Sequence, residues 1–379
     1  MQPLPGEDPR PGVYGPQTLD ELPRVIRELG LARVLLVTGK GSFQASGASR
    51  VLPALRASVE VAVWSDFSPN TDVDDLVDGV RVAQGFQPDG IIAVGGGSVL
   101  DMAKLIAAFL ELDAADIPAA VRNNTVNRRS PALVLVPTTS GSGSEATHFA
   151  VAYIGPEKFS VASPALLPDF VILDPDLTGS ASRYQKATSV IDAIAQAVES
   201  HWARGATTAS RSFARAALRD LVPAAPAYLD GDSSAGAHAA RGSYLAGRAI
   251  DLSKTTGAHA LAYGLTRRHG ISHGHAVATT LGAFARRHAE LTTEPGASAD
   301  LARDLADIAE LVGADDPLEI GARLDALAAD LGLELKLREL GVPHDDLTVM
   351  AHAVNTERLG NNPLAFHEDD LLALLQECW

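Results

Sequence analysis

The apolar run Ile91-Ile92-Ala93-Val94 passes without a break into Gly95-Gly96-Gly97-Ser98, and a helix-like segment, Val99–Leu112, follows. An unbroken apolar run suits a strand covered on both faces, as in a parallel sheet, better than an edge strand with one wet face. Three consecutive glycines then strip every side chain from the turn. Backbone N–H groups at a helix N-terminus can so approach a phosphate closely. An ordinary tight turn is the plain alternative, but it needs fewer glycines. The pattern is neither GxGxxG nor Walker A, so neither standard motif describes it.

The residues around this turn repeat its grammar. Arg33–Thr38 is a second buried-strand pattern, ending at Gly39-Lys40-Gly41; Val59–Trp64 is a third. Pro131–Val136 is a fourth, closed by Pro137-Thr138-Thr139-Ser140-Gly141-Ser142-Gly143-Ser144-Glu145. Helical periodicity fills the intervals at Leu19–Leu29, Ser49–Ser58 and Val73–Gln84. Strands and helices alternating over short turns predict an α/β domain built on a parallel sheet. Near Asp174-Pro175-Asp176-Leu177 the texture changes, and from about Ser180 almost every segment is Ala/Leu-rich with helical spacing. Ala214–Leu221, Ala237–Leu252, Ala299–Leu311 and Pro317–Leu331 are examples. A boundary near Thr178–Ser180 is expected, giving an α/β dinucleotide-binding domain at 1–179 and an all-helical domain at 180–379.

Charge narrows the partners. Lys+Arg 31 against Asp+Glu 47 leaves a formal net charge of −16, which argues against nucleic acid or an anionic membrane. Cys378 is the only cysteine, so no intrachain disulfide or multi-cysteine metal site is available. The N-terminal residues lack a basic and apolar leader pattern, and no apolar run approaches the roughly 20 residues needed to span a bilayer. A cytoplasmic protein is expected.

Chemistry concentrates at a few places. Thr138, Thr139, Ser140, Ser142 and Ser144 crowd one strand end, where hydroxyls between glycines suit a pyrophosphate or a nicotinamide amide; a capped loop is the plain alternative. With the Gly95–Ser98 turn, the pair of strand-end loops favours a dinucleotide. At the end of the first strand an acidic residue would bind a ribose 2′-OH, whereas here Gly39 is followed by Lys40, which leans toward NADPH over NADH. The plain alternative is that Lys40 is a solvated loop lysine. In Ile191–Glu199, Asp192 and Gln196 are spaced i, i+4 and share a helix face. Such a pair is usually just polar surface. Lys254–Ala278 holds His259, His269, His273 and His275 with Tyr263 among them. Gly270 and Gly274 predict a helix, a turn and a second helix there. His259 and His273 bracketing that turn, with Asp192 and Gln196, make a plausible four-ligand set.

GGGSVLDMAK (95–104), PTTSGSGSEAT (137–147), the DAxxQAxE block at 192–199 and HALAYGLTRRHGISHGHAVA (259–278) together resemble the iron-containing, or group III, alcohol dehydrogenases. The resemblance covers nearly the whole chain, including DPDLT at 174–178. It implies a dehydroquinate synthase-like fold, with a dinucleotide-binding α/β domain and a helical metal- and substrate-binding domain. It also implies a divalent metal, Fe2+ or Zn2+, NADPH or NADH, a homodimer, and interconversion of an alcohol with an aldehyde or ketone. The family's ligand aspartate falls on Asp192 and its later ligand histidines on His259 and His273. Gln196 stands where most members have a further ligand histidine, and Tyr263 where most have a non-ligand histidine near the nicotinamide. Gly39 takes the place of the NAD-selecting aspartate, and further cofactor contacts fall on Asn70 and Lys158. Gln196, Tyr263 and the GISHGHAVA block resemble the branch that reduces phosphonoacetaldehyde to 2-hydroxyethylphosphonate. Lys158, Lys254, Arg267 and Arg268 are candidate phosphonate partners, and Tyr263, His269 or His275 candidate proton carriers. The rivals are a dehydrogenase of an uncharged short alcohol, diol or polyol, and a dehydroquinate synthase-like lyase.

Overall fold

A computed structural model of the chain describes residues 2–6, 9–126, 128–155, 157–294 and 296–379. They form two compact units, 1–181 and 182–379.

The first unit holds strands β1 (Gly12–Tyr14), β2 (Arg33–Thr38), β3 (Glu60–Trp64), β4 (Gly90–Gly95), β5 (Ala132–Pro137), β6 (Phe149–Ile154), β7 (Glu157–Ala162) and β8 (Phe170–Leu173). Its helices are α1 (Leu22–Glu28), α2 (Ser42–Ala45), α3 (Leu52–Ser58), α4 (Val73–Phe86), α5 (Gly97–Phe109) and α6 (Ile117–Arg122). Six strands make one parallel sheet in the order β1-β8-β5-β4-β2-β3, while β6 and β7 form a separate antiparallel hairpin. In the sheet, Leu36 sits opposite Val63 on one side and Ile92 on the other, and Ile92 sits opposite Val134.

Why the strands read as continuous apolar runs is now visible. Leu35, Val37, Ile91, Ala93, Leu133 and Leu135 face a core shared with Leu76 and Val80 of α4 and Leu100, Leu105 and Ile106 of α5. Val34, Leu36, Ile92, Val94, Val134 and Val136 face the opposite core, with Val25 and Ile26 of α1 and Leu55 of α3. Successive residues of a strand point to opposite faces, and here both faces are covered. Each such Leu, Ile or Val contributes about 1.5–3 kcal/mol on burial.

The second unit contains only helices among its described residues: α7 (Arg183–Trp202), α8 (Thr208–Leu229), α9 (Ser233–Ser253), α10 (Gly257–His269), α11 (His273–Thr292), α12 (Ala299–Val312), α13 (Ile320–Asp330), α14 (Asp346–His352), α15 (Thr356–Gly360) and α16 (Glu368–Cys378), with short 3-10 turns. Helix α7 is its axis. A capping box of Ser182 and Gln185 starts it, and every residue from Val190 to Trp202 is buried. A helix buried on all sides belongs inside a bundle, and α8, α9, α11 and α12 pack around it. Its polar residues Asp192, Gln196 and Glu199 are therefore carried into the interior. No described helix is long and apolar enough to cross a membrane.

Candidate active site

The C-terminal ends of β2, β4 and β5 lie side by side in the first unit. Strand β2 has β3 on one side and β4 on the other, so the strand order reverses there, and open α/β sheets bind ligands in the crevice at such a reversal. The glycine turn occupies it. Gly96 precedes α5 in an extended conformation, and no described side chain caps the helix. Two glycines are dictated by close approach: a Cβ on Gly95 would lie 2.5 Å from Val99, and one on Gly97 would lie 2.8 Å from Ser142. The backbone N of Asn70 donates to Ser98 Oγ at 3.3 Å, and that of Thr138 to the Gly95 carbonyl at 2.9 Å. Gly95, Gly96, Gly97, Ser98, Asn70, Thr138, Thr139 and Ser142 are thus gathered at one edge of the sheet. Ser140 Oγ is buried there without a hydrogen-bond partner among the described residues, the condition a polar ligand would relieve. Lys158 sits on β7 opposite Tyr153. At Gly39 a Cβ would overlap Ser42 Oγ, so an acidic side chain has no room unless Ser42 turns away. Lys40 pairs with Asp66 at 2.8 Å in open solvent.

In the second unit Asp192, His259 and His273 offer ligand atoms that all lie within 4.8 Å of one another. Asp192 comes from the middle of α7, His259 from the first turn of α10, and His273 from the first residue of α11. Asp192 Oδ1 and His259 Nε2 face each other at 3.4 Å, and neither has a hydrogen-bond partner among the described residues although both are buried. The His259 and His273 rings meet edge to face, 5.4 Å between centroids. Gln196, one turn beyond Asp192, donates its amide nitrogen to Asp192 Oδ2 at 3.3 Å. The amide oxygen offered above as a fourth ligand is thus accompanied by an amide N–H that fixes the aspartate.

One residue the sequence reading passed over completes this arrangement. Glu199 is fully buried and accepts a very short hydrogen bond from His259 Nδ1. It also accepts from Thr256 Oγ1 at 2.9 Å and the Ala258 N–H at 2.8 Å, and Trp202 Nε1 donates to Thr256 Oγ1 at 2.9 Å. With Nδ1–H committed to Glu199, the lone pair on His259 Nε2 points at the Asp192 carboxylate. Two acceptors facing each other in a buried site call for a proton or a cation between them, and a carboxylate behind the imidazole is the common support of a metal ligand. The two nitrogens and one oxygen are a donor set that would suit Fe2+ or Zn2+. The signal was available: 192 and 199 are two helical turns apart and share a face.

The electrostatics agree. Burial works to lower the His259 imidazole, but Glu199 and Asp192 outweigh it and push it up to about 10. Burial works to raise the Glu199 carboxyl, but His259 and the hydrogen bonds from His259 and Thr256 hold it below its ordinary value. A metal must displace the proton that His259 otherwise keeps. Ion binding is therefore expected to release about one proton, and affinity to fall about tenfold for each pH unit below about 10. Calorimetry in buffers of differing ionisation enthalpy reads this directly; no proton release would remove His259 from the ligand set.

The remaining predicted residues divide. Tyr263, one turn after His259, stacks on His273 with centroids 6.0 Å apart and planes 20° from parallel. His275 uses both ring nitrogens elsewhere, on Tyr184 OH at 3.1 Å and the Glu334 carbonyl at 2.6 Å, which ties helices together and leaves no nitrogen for proton relay. His269 Nε2 lies 3.2 Å from Asp346 at the far end of α10. Arg267 and Arg268 are exposed in the last turn of α10, and Lys254 pairs with Glu357.

Comparison with known proteins bears on both halves of the chain. The model of the iron-containing alcohol dehydrogenases matches residues 9–175, and that of the C-terminal part of the Fe-containing alcohol dehydrogenase family matches residues 186–379. Long-chain-alcohol dehydrogenase 1 of Geobacillus thermodenitrificans is 31% identical, over 94% of this chain and 92% of its own length. Phosphonoacetaldehyde reductase of Streptomyces viridochromogenes is also 31% identical, over 91% and 89%. The crystal structure of sulfoacetaldehyde reductase from Bifidobacterium kashiwanohense in complex with NAD+ superposes with a TM-score of 0.88 at 26% identity, covering 100% of this chain and 99% of that one. A parallel-sheet unit followed by a helical unit is the architecture expected from the sequence. The chain belongs to the iron-containing alcohol dehydrogenase family, whose members are oxidoreductases of alcohols and aldehydes that use NAD(P) and Fe2+.

Proposed function

We propose that this enzyme reduces phosphonoacetaldehyde to 2-hydroxyethylphosphonate with NADPH. The observation that carries the reading is the Asp192–His259–His273 cluster, in a chain similar over nearly its whole length to a phosphonoacetaldehyde reductase. When bound, the metal supplies Lewis-acid polarisation of the aldehyde and the nicotinamide supplies the hydride. The chain does the rest. Asp192, His259 and His273 hold the ion, and Gln196 fixes the rotamer of Asp192. The turn at Gly95–Ser98 and the loop at Thr138–Ser142, with Asn70 and Lys158, hold the nucleotide. Tyr263, beside His273, delivers or relays the proton that the new hydroxyl requires.

Arg267 and Arg268 are the proposed phosphonate partners, because a guanidinium can grip two phosphonate oxygens at once. NADPH is favoured by Gly39 and Lys40, since no carboxylate at position 39 repels a 2′-phosphate. A homodimer is the assembly proposed, to be read by light scattering. A second reading, oxidation of an uncharged alcohol, is supported by the similarity to a long-chain-alcohol dehydrogenase.

A substrate panel decides between them. The ratio kcat/KM for phosphonoacetaldehyde is expected to exceed that for propanal or octanal by about 100-fold or more, and Arg267→Ala with Arg268→Ala to erase most of that margin. Equal ratios favour the uncharged reading. Stoichiometric NADPH consumption separates both from a lyase. Gly39→Asp is expected to lower kcat/KM for NADPH by about tenfold or more while sparing NADH; an unchanged ratio of the two nucleotides would refute the role of position 39.

A further inference from the structure

The motif GGGSVLDMAK continues past its glycines to Asp101 and Lys104, and the function derived above uses neither. Both belong to α5, the helix whose first turn is the glycine turn. Lys104 is fully buried. Its Nζ donates to the carbonyl oxygens of Ser144 at 2.5 Å, Thr147 at 2.8 Å and Phe149 at 2.9 Å, and to Thr147 Oγ1 at 3.2 Å. One turn nearer the glycines, Asp101 accepts from Ser144 Oγ at 2.5 Å and from the Val151 N–H at 2.9 Å. All these partners belong to the descending half of the Ser/Thr loop and the strand that leaves it. The other half of that loop touches the glycine turn itself, at Thr139 beside Gly96 and Ser142 beside Gly97, and Ser142 Oγ accepts from the Ser144 N–H at 3.3 Å.

We infer that Asp101 and Lys104 are positioning residues for the nucleotide, fastening the Thr138–Thr147 loop to α5 so that the two strand-end loops form one rigid cradle. A buried ammonium is unfavourable unless its donors are filled. Here they are filled by backbone carbonyls, which fixes the path of the main chain and not merely one side chain. The carboxylate of Asp101 balances the charge and takes the hydroxyl of Ser144. A loop of serines, threonines and glycines has little apolar surface to hold it in place. Pinned from behind by a lysine and an aspartate three residues apart on one helix face, it keeps its hydroxyls where a ligand needs them. Loop order established before binding does not have to be supplied by the nucleotide, which raises affinity without adding a contact.

This inference rests on the nucleotide reading of the two loops, and the test separates the two. Full-length, metal-loaded protein and its Lys104→Met and Ser144→Ala variants are titrated with NADPH and NADH by nicotinamide fluorescence, with kcat, KM and metal content measured in parallel. Lys104→Met is expected to raise the nucleotide Kd and KM by about tenfold or more, with kcat at saturating nucleotide within about threefold and metal content unchanged. Ser144→Ala is expected to raise Kd by about threefold or more. A purely structural lysine would lower Tm and leave the Kd of the folded fraction alone; a folded Lys104→Met variant with Kd within about twofold of the unsubstituted protein overturns the inference. Should Lys104→Met not fold, Ser144→Ala decides by the same comparison. If the unsubstituted protein binds neither nucleotide, the cofactor reading falls first and this inference with it.

Discussion

Gly274→Ala is expected to cost the enzyme its metal although the residue ligates nothing. Gly274 is the second residue of α11, next to His273. A Cβ there would overlap the Thr188 carbonyl oxygen and lie 2.7 Å from Asp192 Cβ, both on α7. Backbone cannot swing aside as a side chain can, so the methyl must push α11 off α7 at the level where Asp192 and His273 face one another. Overpacking of this kind costs about 1–3 kcal/mol or more. A metal site tolerates displacements of only about 0.2 Å in its ligand distances, so an affinity loss of about 100-fold or more accompanies the destabilisation. Elemental analysis and thermal unfolding with and without added ion read the two effects separately. Gly270→Ala is the control: it has φ +67° with nothing within 4 Å, so it should lose about 1 kcal/mol to left-handed strain and keep its ion. Wild-type metal content and Tm in Gly274→Ala would show that the helices have room to spare.

The second large effect is expected at Glu199. Removing the carboxylate with Glu199→Ala leaves His259 Nδ1–H, the Thr256 hydroxyl and the Ala258 N–H without an acceptor in a fully buried place. Breaking a buried charged network by deleting one partner costs about 3–5 kcal/mol, enough to unfold many domains outright. Glu199→Gln is the informative variant, since it keeps the shape and an acceptor oxygen but removes the charge behind His259. Metal affinity is expected to drop about 10–100-fold, and the visible spectrum of the Co2+-substituted protein to shift as the imidazole loses donor strength. Unchanged affinity and spectrum would mean that Glu199 serves only the helix end.

The sequence disclosed the parts of this molecule whose residues answer to one strong demand. Strands β2, β4 and β5 were legible because burial on both faces leaves no choice but apolar residues. The β6–β7 hairpin was not, since Phe149–Ile154 and Glu157–Ala162 mix buried and half-exposed positions and follow a loop that draws attention away. Strands β1 and β8 have three and four residues, too short for any periodicity to register. Among the site residues, His259 and His273 were conspicuous because histidines are scarce and these bracket a turn. Glu199 was hidden by its commonness: a glutamate late in a helix ordinarily faces water, and only the burial of α7 on every side makes this one an interior group. His269 and His275 looked alike in the sequence and differ in space, one beside Asp346 and the other spanning Tyr184 and Glu334.

The division of the chain into two units has an evolutionary consequence. The three candidate ligands Asp192, His259 and His273 lie between 182 and 379, and the glycine turn and hydroxyl loop lie between 1 and 181. Selection can therefore change residues of the first unit without revisiting the chemistry of α7, α10 and α11. It can equally trade one α7 side chain for another, as at Gln196, while the dinucleotide fold stays as it was. A lineage built this way can explore new aldehydes by small, separable steps, and a laboratory redesign of cofactor choice should carry over between members that share only the first half.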